Sequence, residues 1–305
     1  DLLALTGVNM DVGIVANEVG KLSWLSQKYT GHAIPALGPL DFKSTFKGGL
    51  NTTLAMQAID IELGRRDLIK LGASGTIADL YNQEGISLIL SADAEEISRI
   101  NKIANQYDVP VIPEIGPLSF AGSFTGGIHK TLSLSDLNLK AGNGKRFLLY
   151  VKGSIADVID PKGLAVDISA KVGNLKNISK FVGQDLPPIG PVEIQASVAG
   201  DKQDKLDITN IVAQIGESDI SGDLSYDATD DQPFAKGKLR SKLIRKADFV
   251  KGADKKKAAA DTASSAGSGV DNSSAAKSSG KYMISEEPIA FDVLKLADGN
   301  FDVAV

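Results

Sequence analysis

An internal repeat is the feature of this sequence that most constrains its fold. Gly38-Pro39-Leu40 recurs as Gly116-Pro117-Leu118, with an offset of 116 − 38 = 78, and again as Gly190-Pro191-Val192, with an offset of 190 − 116 = 74. When residues 38–80 are compared with 116–158, 15 of 43 positions are identical without a gap. A fixed period of this length is typical of proteins built from stacked copies of one small structural unit.

The repeat predicts how the chain is divided. The predicted segments are a partial unit at 1–37, a first unit at 38–115, a second at 116–189, and a shorter third with the start of a fourth, from Gln232, at 190–250. Residues 251–280 are mostly Lys, Ala, Ser, Gly and Asp, a composition that predicts a disordered loop. Residues 281–305 are predicted to continue the structure.

Within one unit, most of the pattern has the period of a β-strand. Leu118, Phe120 and Phe124 alternate with small or polar residues, which predicts a strand with one apolar face. In the next strand the alternation slips by one residue, and the slip recurs in each unit, which predicts a β-bulge that bends the sheet. The slips fall between Met56 and Ile59, between Leu134 and Leu137, and between Ile208 and Ile211.

Each unit also contains a stretch with helical spacing. Ile97, Ile100, Ile103, Ala104 and Tyr107 predict a short amphipathic helix. Equivalent stretches begin at Val19 and at Leu175, and Trp24 and Tyr29 of the first are expected to pack against the protein. The fold class expected is mostly β with short helices. We expect a repeating antiparallel sheet, curved into an open groove, in units of about 78 residues that each contain four strands and one helix.

The purpose of the apolar face stays open at this level. Alternating Leu and Phe on strands are more often ordinary core, buried by a closed barrel, by a second sheet or by the helices. However, one helix about 10 Å wide covers only part of four strands, which span roughly 20 Å. An uncovered apolar surface of that size normally marks a binding site, and an acyl chain needs only apolar contact.

Composition argues against several other functions. The net charge is −5 with no clustered basic face, so nucleic acid is not an expected partner. The absence of cysteine excludes disulfides and thiolate chemistry, and the two histidines occupy different phases of the repeat. No phosphate-binding glycine motif, metal site or catalytic constellation is recognisable, so neither enzyme activity nor a cofactor is expected. Asp79 and Asp157 recur at a strand end, where capping of a turn is the expected role.

Two stretches resemble the AsmA family of Gram-negative envelope proteins. One runs from Asp219 to Tyr226 and on through Gln232-Pro233-Phe234-Ala235-Lys236-Gly237 to Leu243, and the other runs from Ser285 to Val303. The resemblance covers about residues 190–305 directly and the upstream units by internal similarity. It implies a repeating β-groove protein, related to TamB-type lipid conduits, in the periplasm. It also implies an inner-membrane tether. This sequence has no run of 18 or more apolar residues, so the tethering segment is expected to lie outside it.

The family resemblance implies that the function is the binding of phospholipid and its transport between the inner and outer membranes. The acyl chains and the two membranes are the expected partners, and partners among envelope proteins are left open. The alternative is a structural or assembly scaffold without a ligand, either a closed β-solenoid or a factor that aids assembly of outer-membrane proteins. The residues expected to line the groove are Phe42, Phe46, Leu54, Met56, Leu71, Ile77, Leu88, Leu90, Phe120, Phe124, Leu132, Leu134, Leu149, Val151, Ile155, Leu164, Val166, Ile194, Ile208 and Leu224.

Overall fold

The structure is a computed structural model that describes most of the repeat region. The described residues are 7–30, 33–49, 52–104, 111–112, 114–144, 146–179, 186–202, 204–229, 233–245, 248 and 298–304. The disordered loop predicted at 251–280 lies outside the described residues, as does the first part of the segment predicted at 281–305.

The described chain forms one open, curved β-sheet of 14 strands, which confirms the predicted fold class. The strands lie in the sheet in the order of the sequence, and neighbours pair antiparallel except for the last pair, which is parallel. The strands are β1 Val8–Ala16, β2 Leu40–Gly48, β3 Leu54–Arg65, β4 Ile69–Asp79, β5 Glu84–Ala94, β6 Leu118–Gly126, β7 Leu132–Gly142, β8 Phe147–Asp157, β9 Lys162–Val172, β10 Val192–Lys202, β11 Lys205–Ile215, β12 Ser218–Asp227, β13 Phe234–Arg240 and β14 Asp298–Ala304.

The strands follow the sequence repeat in sets of four. The sets are β2–β5, β6–β9 and β10–β13, and β1 stands where the fourth strand of a preceding set would lie. We expected a fourth unit to begin at Gln232. The structure instead gives β13 the place of the fourth strand of the third unit, because it pairs with β12 as β9 pairs with β8. The parallel strand β14 then continues the sheet.

The predicted β-bulge is present in all three units. The strand register breaks between Met56 and Ile59, and the corresponding strands break at the two equivalent positions. The extra residues there are Ala58, Asp136 and Asn210, with φ of 49°, 53° and 55°. These left-handed values are uncommon for residues other than glycine, and they let two residues oppose one on the partner strand. The slip therefore keeps the apolar residues on the same face before and after the bulge.

The helical stretches form connectors along one long edge of the sheet. We call this the connector edge: β1, β5 and β9 end there, and β2, β6 and β10 begin there. The connectors contain 3-10 turns at Val19–Leu22, Ile97–Ile100 and Leu175–Ile178, and the first two continue into α1, Ser23–Thr30, and α2, Asn101–Ala104. Tyr107 lies outside the described residues. Along the opposite long edge, which we call the turn edge, the connections that the structure describes in full are short, such as residues 80–83 and 158–161.

The best-packed apolar clusters lie at the connector edge. Ile97 packs with Ile69 and Ala94 at the ends of the strands, together with the half-buried Ile100 and Ile115. A second cluster is centred on Ala141, Phe147 and Val172, and the connector residue Ile178 packs against it. The connectors therefore cover the ends of the strands on this side of the sheet.

Candidate functional site

Strand register places the apolar residues of all units on one face of the sheet. Residues directly opposite each other on paired strands point to the same face. Leu88 lies opposite Phe124, Phe124 opposite Leu134, Leu134 opposite Ile155, and Ile155 opposite Leu164. These five side chains form a continuous apolar row across β5 to β9.

The same reasoning extends from β1 to β13 and gives the apolar face of the sheet. It contains all twenty residues expected to line a groove. They are Phe42, Phe46, Leu54, Met56, Leu71, Ile77, Leu88, Leu90, Phe120, Phe124, Leu132, Leu134, Leu149, Val151, Ile155, Leu164, Val166, Ile194, Ile208 and Leu224. The apolar face also contains residues that the prediction left out, among them Ile61, Leu137, Leu139, Ile168 and Val198.

The two faces of the sheet differ in exposure. In the inner strands β2 to β13, most side chains of the apolar face are buried or half-buried, whereas most of the opposite, polar face is exposed. Leu88 is half-buried, while its neighbour Ile89, on the polar face, is 58% exposed. Because the sheet is curved and the apolar side chains shield one another, we infer that the apolar face is the concave one, and we call it the groove.

No second layer covers the middle of the groove among the described residues. Each strand packs substantially only against its neighbours in the sheet, so neither a closed barrel nor a sandwich forms in this part of the chain. The groove also carries few polar groups. Ser44 is buried there, and its hydroxyl donates to the carbonyl of Gln57 at 3.0 Å. The site is therefore an apolar trough that offers a ligand almost no hydrogen-bond donors or acceptors.

Two repeated glutamates fasten the connectors, and sequence reasoning missed both. Glu18 Oε1 accepts hydrogen bonds from the backbone N–H of Gly38 at 3.0 Å and of Gly20 at 3.2 Å. The hydrogen bond from Gly38 has the largest effect, and together the two bonds lower the pKa of the Glu18 carboxyl because they stabilise its charged form. Glu96, one repeat period after Glu18, accepts from Gly116 and Ser98 in the same way. The glutamate thus ties the start of the connector to the Gly-Pro motif at its end.

A second repeated contact closes each connector from within. The hydroxyl of Ser23 donates to the carbonyl of Ile34 at 2.8 Å and accepts from its N–H at 3.1 Å. Asn101 makes the equivalent pair of bonds to Ile112, at 2.7 and 2.9 Å. In the third connector, Ser179 accepts from the N–H of Leu186. Each of these positions follows the previous one by a full repeat period, so the cross-link is part of the repeat.

The repeated aspartates at the turn edge cap turns, as predicted. Asp79 accepts from the side chain of Asn82 and from the N–H groups of Asn82 and Tyr81, which lowers the pKa of Asp79. The pKa of Asp157 is lowered chiefly by the N–H of Ile159, and Asp157 also accepts from the N–H of Leu132 on the adjacent strand. Both carboxylates stabilise the turns that follow β4 and β8.

The remaining candidate residues do not form a chemical site. His129 is exposed in a turn, and His32 lies outside the described residues. Across the part of the chain that the structure describes, no group of three metal-ligating side chains is close enough to hold an ion. The expectation that Trp24 packs against the protein is wrong, because its side chain is 67% exposed. The structure describes the backbone of Tyr29 but not its side chain, so the prediction for Tyr29 is not tested.

None of the helices in the described residues is long and apolar enough to cross a membrane.

Fold and site together define a class: an open, single-sheet repeat protein with a continuous apolar groove. Comparisons with known proteins add no closer identity, because no family model, curated protein or solved structure matches this chain. The functional argument therefore depends on the groove itself.

Proposed function

We propose that this chain binds the acyl chains of phospholipid in its groove and forms part of a path for lipid transport between the inner and outer membranes of a Gram-negative envelope. In this proposal it is an AsmA-type periplasmic protein tethered to the inner membrane, and it carries lipid without catalysing a reaction. The observation that supports the proposal is the uninterrupted apolar face, open along its middle, that runs across the described sheet.

The chemistry of the groove favours an acyl chain over other ligands. Sugars, nucleotides and most metabolites need hydrogen-bond partners when they leave water, since unpaired buried polar groups are costly. The groove floor offers Leu, Ile, Val and Phe side chains instead, as in the row from Leu88 to Leu164. Each buried CH2 group contributes about 0.8 kcal/mol, so one acyl chain gains on the order of 10 kcal/mol before the cost of ordering it.

The dimensions of the groove favour a path over a single closed pocket. Fourteen strands at ~4.8 Å spacing give a trough roughly 65 Å long. This length is about twice the hydrocarbon thickness of a bilayer, ~30 Å. Several acyl chains fit in succession, and the lining is similar in every unit because the units repeat. No single lining residue is therefore expected to be indispensable, and a lipid can shift from unit to unit without meeting a polar barrier.

The test is native mass spectrometry with lipid extraction on the gently purified chain. We expect saturable phospholipid in the wild-type protein and its loss in Leu88→Asp, which puts a charge in the middle of the groove. The matched control is Ile89→Asp, the adjacent residue of the same strand on the exposed polar face, which should retain lipid. Circular dichroism must show that both variants keep the β-sheet. A second pair, Phe124→Asp and Thr125→Asp in β6, repeats the comparison in another unit.

The scaffold hypothesis predicts the opposite result. A folded wild-type chain that carries no lipid under gentle extraction would contradict the carrier proposal and favour a structural or assembly role. Equal lipid retention by Leu88→Asp and Ile89→Asp would also count against the groove as the binding surface. In that case any co-purifying lipid would be bound elsewhere on the protein.

A further inference from the structure

The two long edges of the groove differ in how far they are covered. At the connector edge, the side chains of Ile97, Ile100 and Ile115 pack over the strand ends. Hydrogen bonds from Gly38 to Glu18 and from Gly116 to Glu96, repeated from unit to unit, hold the connectors in place. A lipid that crossed this edge would have to displace packed apolar side chains and break these hydrogen bonds.

The turn edge has no comparable cover in the described part of the chain. Its connections are four or five residues long at 80–83, 127–131 and 158–161, and no helix is described in them. The turns are held by their own aspartate caps, Asp79 and Asp157, and need no contact with a connector. From β4 to β9, where the turns are described in full, this edge therefore leaves the groove open.

A row of exposed apolar side chains follows the turn edge. Tyr81, Ile128 and Ile159 are 50%, 40% and 51% exposed, in the turns between β4 and β5, β6 and β7, and β8 and β9. Successive turns are two strands apart, so the row has a spacing of ~10 Å. Lys130 and Lys162 lie in or beside the same turns with exposed ammonium groups, each paired with a carboxylate. Apolar side chains next to exposed charges suit the boundary between acyl chains and a polar headgroup.

We propose that phospholipid enters and leaves the groove over the turn edge, with its headgroup outside the row of Tyr81, Ile128 and Ile159, and that the connector edge is closed to it. This inference rests on the proposed function and specifies the side from which the groove is loaded. In this proposal the side chains of the apolar row contact the acyl chains as they cross the edge, and the headgroup stays in water beyond the row.

The test uses single cysteines, because the chain contains none of its own. A fluorophore is attached at Ile128→Cys or Ile159→Cys on the turn edge, and at Val111→Cys, an exposed apolar residue of a connector. A fourth reporter, Leu90→Cys, lies in the middle of the groove. Each protein is loaded with phosphatidylcholine that carries a nitroxide quencher either on the headgroup or midway along an acyl chain.

The headgroup quencher should reduce fluorescence several-fold more at residues 128 and 159 than at residue 111, while the acyl quencher acts at residue 90. Headgroup quenching that is equal or stronger at residue 111, or that is absent at both edges, would overturn this inference. If the acyl quencher still acts at residue 90 in that case, the proposed function is upheld. Absence of acyl quenching at residue 90 in a folded, lipid-treated protein would overturn both. A stoichiometric titration separates specific loading from collisions with free lipid.

Discussion

Replacing Gly153 with alanine tests the local geometry on which the groove depends. Gly153 lies opposite Leu137, the first residue after the bulge of β7, and has a φ of 146°. An added Cβ would collide with the carbonyl oxygen of Ala165 and lie 2.7 Å from the Cα of Val166 on the neighbouring strand. Both contacts are with backbone atoms, so a side-chain rotation cannot relieve them.

The expected cost follows from two contributions. A backbone conformation that alanine rarely adopts costs roughly 1–2 kcal/mol, and overpacking against the next strand costs about 1–3 kcal/mol. We therefore expect Gly153→Ala to lower the free energy of opening of β8 and β9 by ~2–5 kcal/mol. Hydrogen exchange measured by mass spectrometry is the suitable assay, because a repeat array need not unfold in one step and exchange reports each strand separately.

Two controls isolate the two contributions. Gly13→Ala in β1 introduces a Cβ with nothing nearer than 4.0 Å and no positive φ, so little change is expected. Gly144→Ala has a φ of 78° but its nearest neighbour is Leu148 Cδ2 at 3.9 Å, so it should show only the backbone cost of about 1–2 kcal/mol. If Gly153→Ala costs no more than Gly144→Ala, the close approach of the neighbouring strand is not what requires glycine at residue 153, and the expected collision is wrong.

Three further predictions concern the connectors and turns. Glu96→Ala should raise hydrogen exchange in the second connector and lower its free energy of opening by ~0.5–2 kcal/mol, as loss of a helix cap does. A decrease of less than a few tenths of a kcal/mol would contradict the role of Glu96 in holding the connector. Ile97→Ala should cost about 2–5 kcal/mol in chemical denaturation because Ile97 is buried against the strand ends, while the exposed Val15→Ala should be nearly neutral. The pKa values of Asp79 and Asp157 are lowered by folding, so their contribution is complete above pH ~4–5 and is lost as the pH falls through the folded-state pKa values. Thermal unfolding scans should show this loss, and Asp79→Asn with Asp157→Asn should make it smaller.

The parts of the fold that the sequence predicts are those that depend on side-chain period. The slip in alternation between Leu134 and Leu137 predicts a bulge, because only an extra residue keeps both leucines on one face. The structure places Asp136 there with a left-handed φ. The placement of the twenty predicted residues on one face follows from the same rule, since period and register together decide which face a strand residue occupies.

Features that depend on direction or on long-range contact could not be predicted in this way. The parallel pairing of β14 with β13 leaves the alternation of side chains unchanged, so the sequence pattern does not reveal it. Glu18 and Glu96 look like ordinary surface charges at strand ends, and only the fold brings each carboxylate to a glycine N–H 20 residues away. Their recurrence at the repeat period was the available signal, but exposed glutamates are common enough to hide it. The prediction for Trp24 was wrong for a different reason, because helical spacing alone does not decide which residues of a short helix face water.

The size of the uncovered face is the strongest argument that the groove holds something. Strands of about eleven residues and fourteen strands give a face of roughly 2,000 Å², several times the few hundred Å² that monomeric proteins commonly expose. Curvature lets neighbouring side chains shield one another and lowers the cost, but it brings no second layer over the middle of the face in the described chain. Leaving even one third of that area in contact with water forgoes on the order of 15 kcal/mol, more than the whole stability of many domains. In the described chain the connectors cover one edge of the sheet, so a total cost of this size favours an apolar occupant over an empty scaffold. The lipid measurement on Leu88→Asp and Ile89→Asp decides between the two.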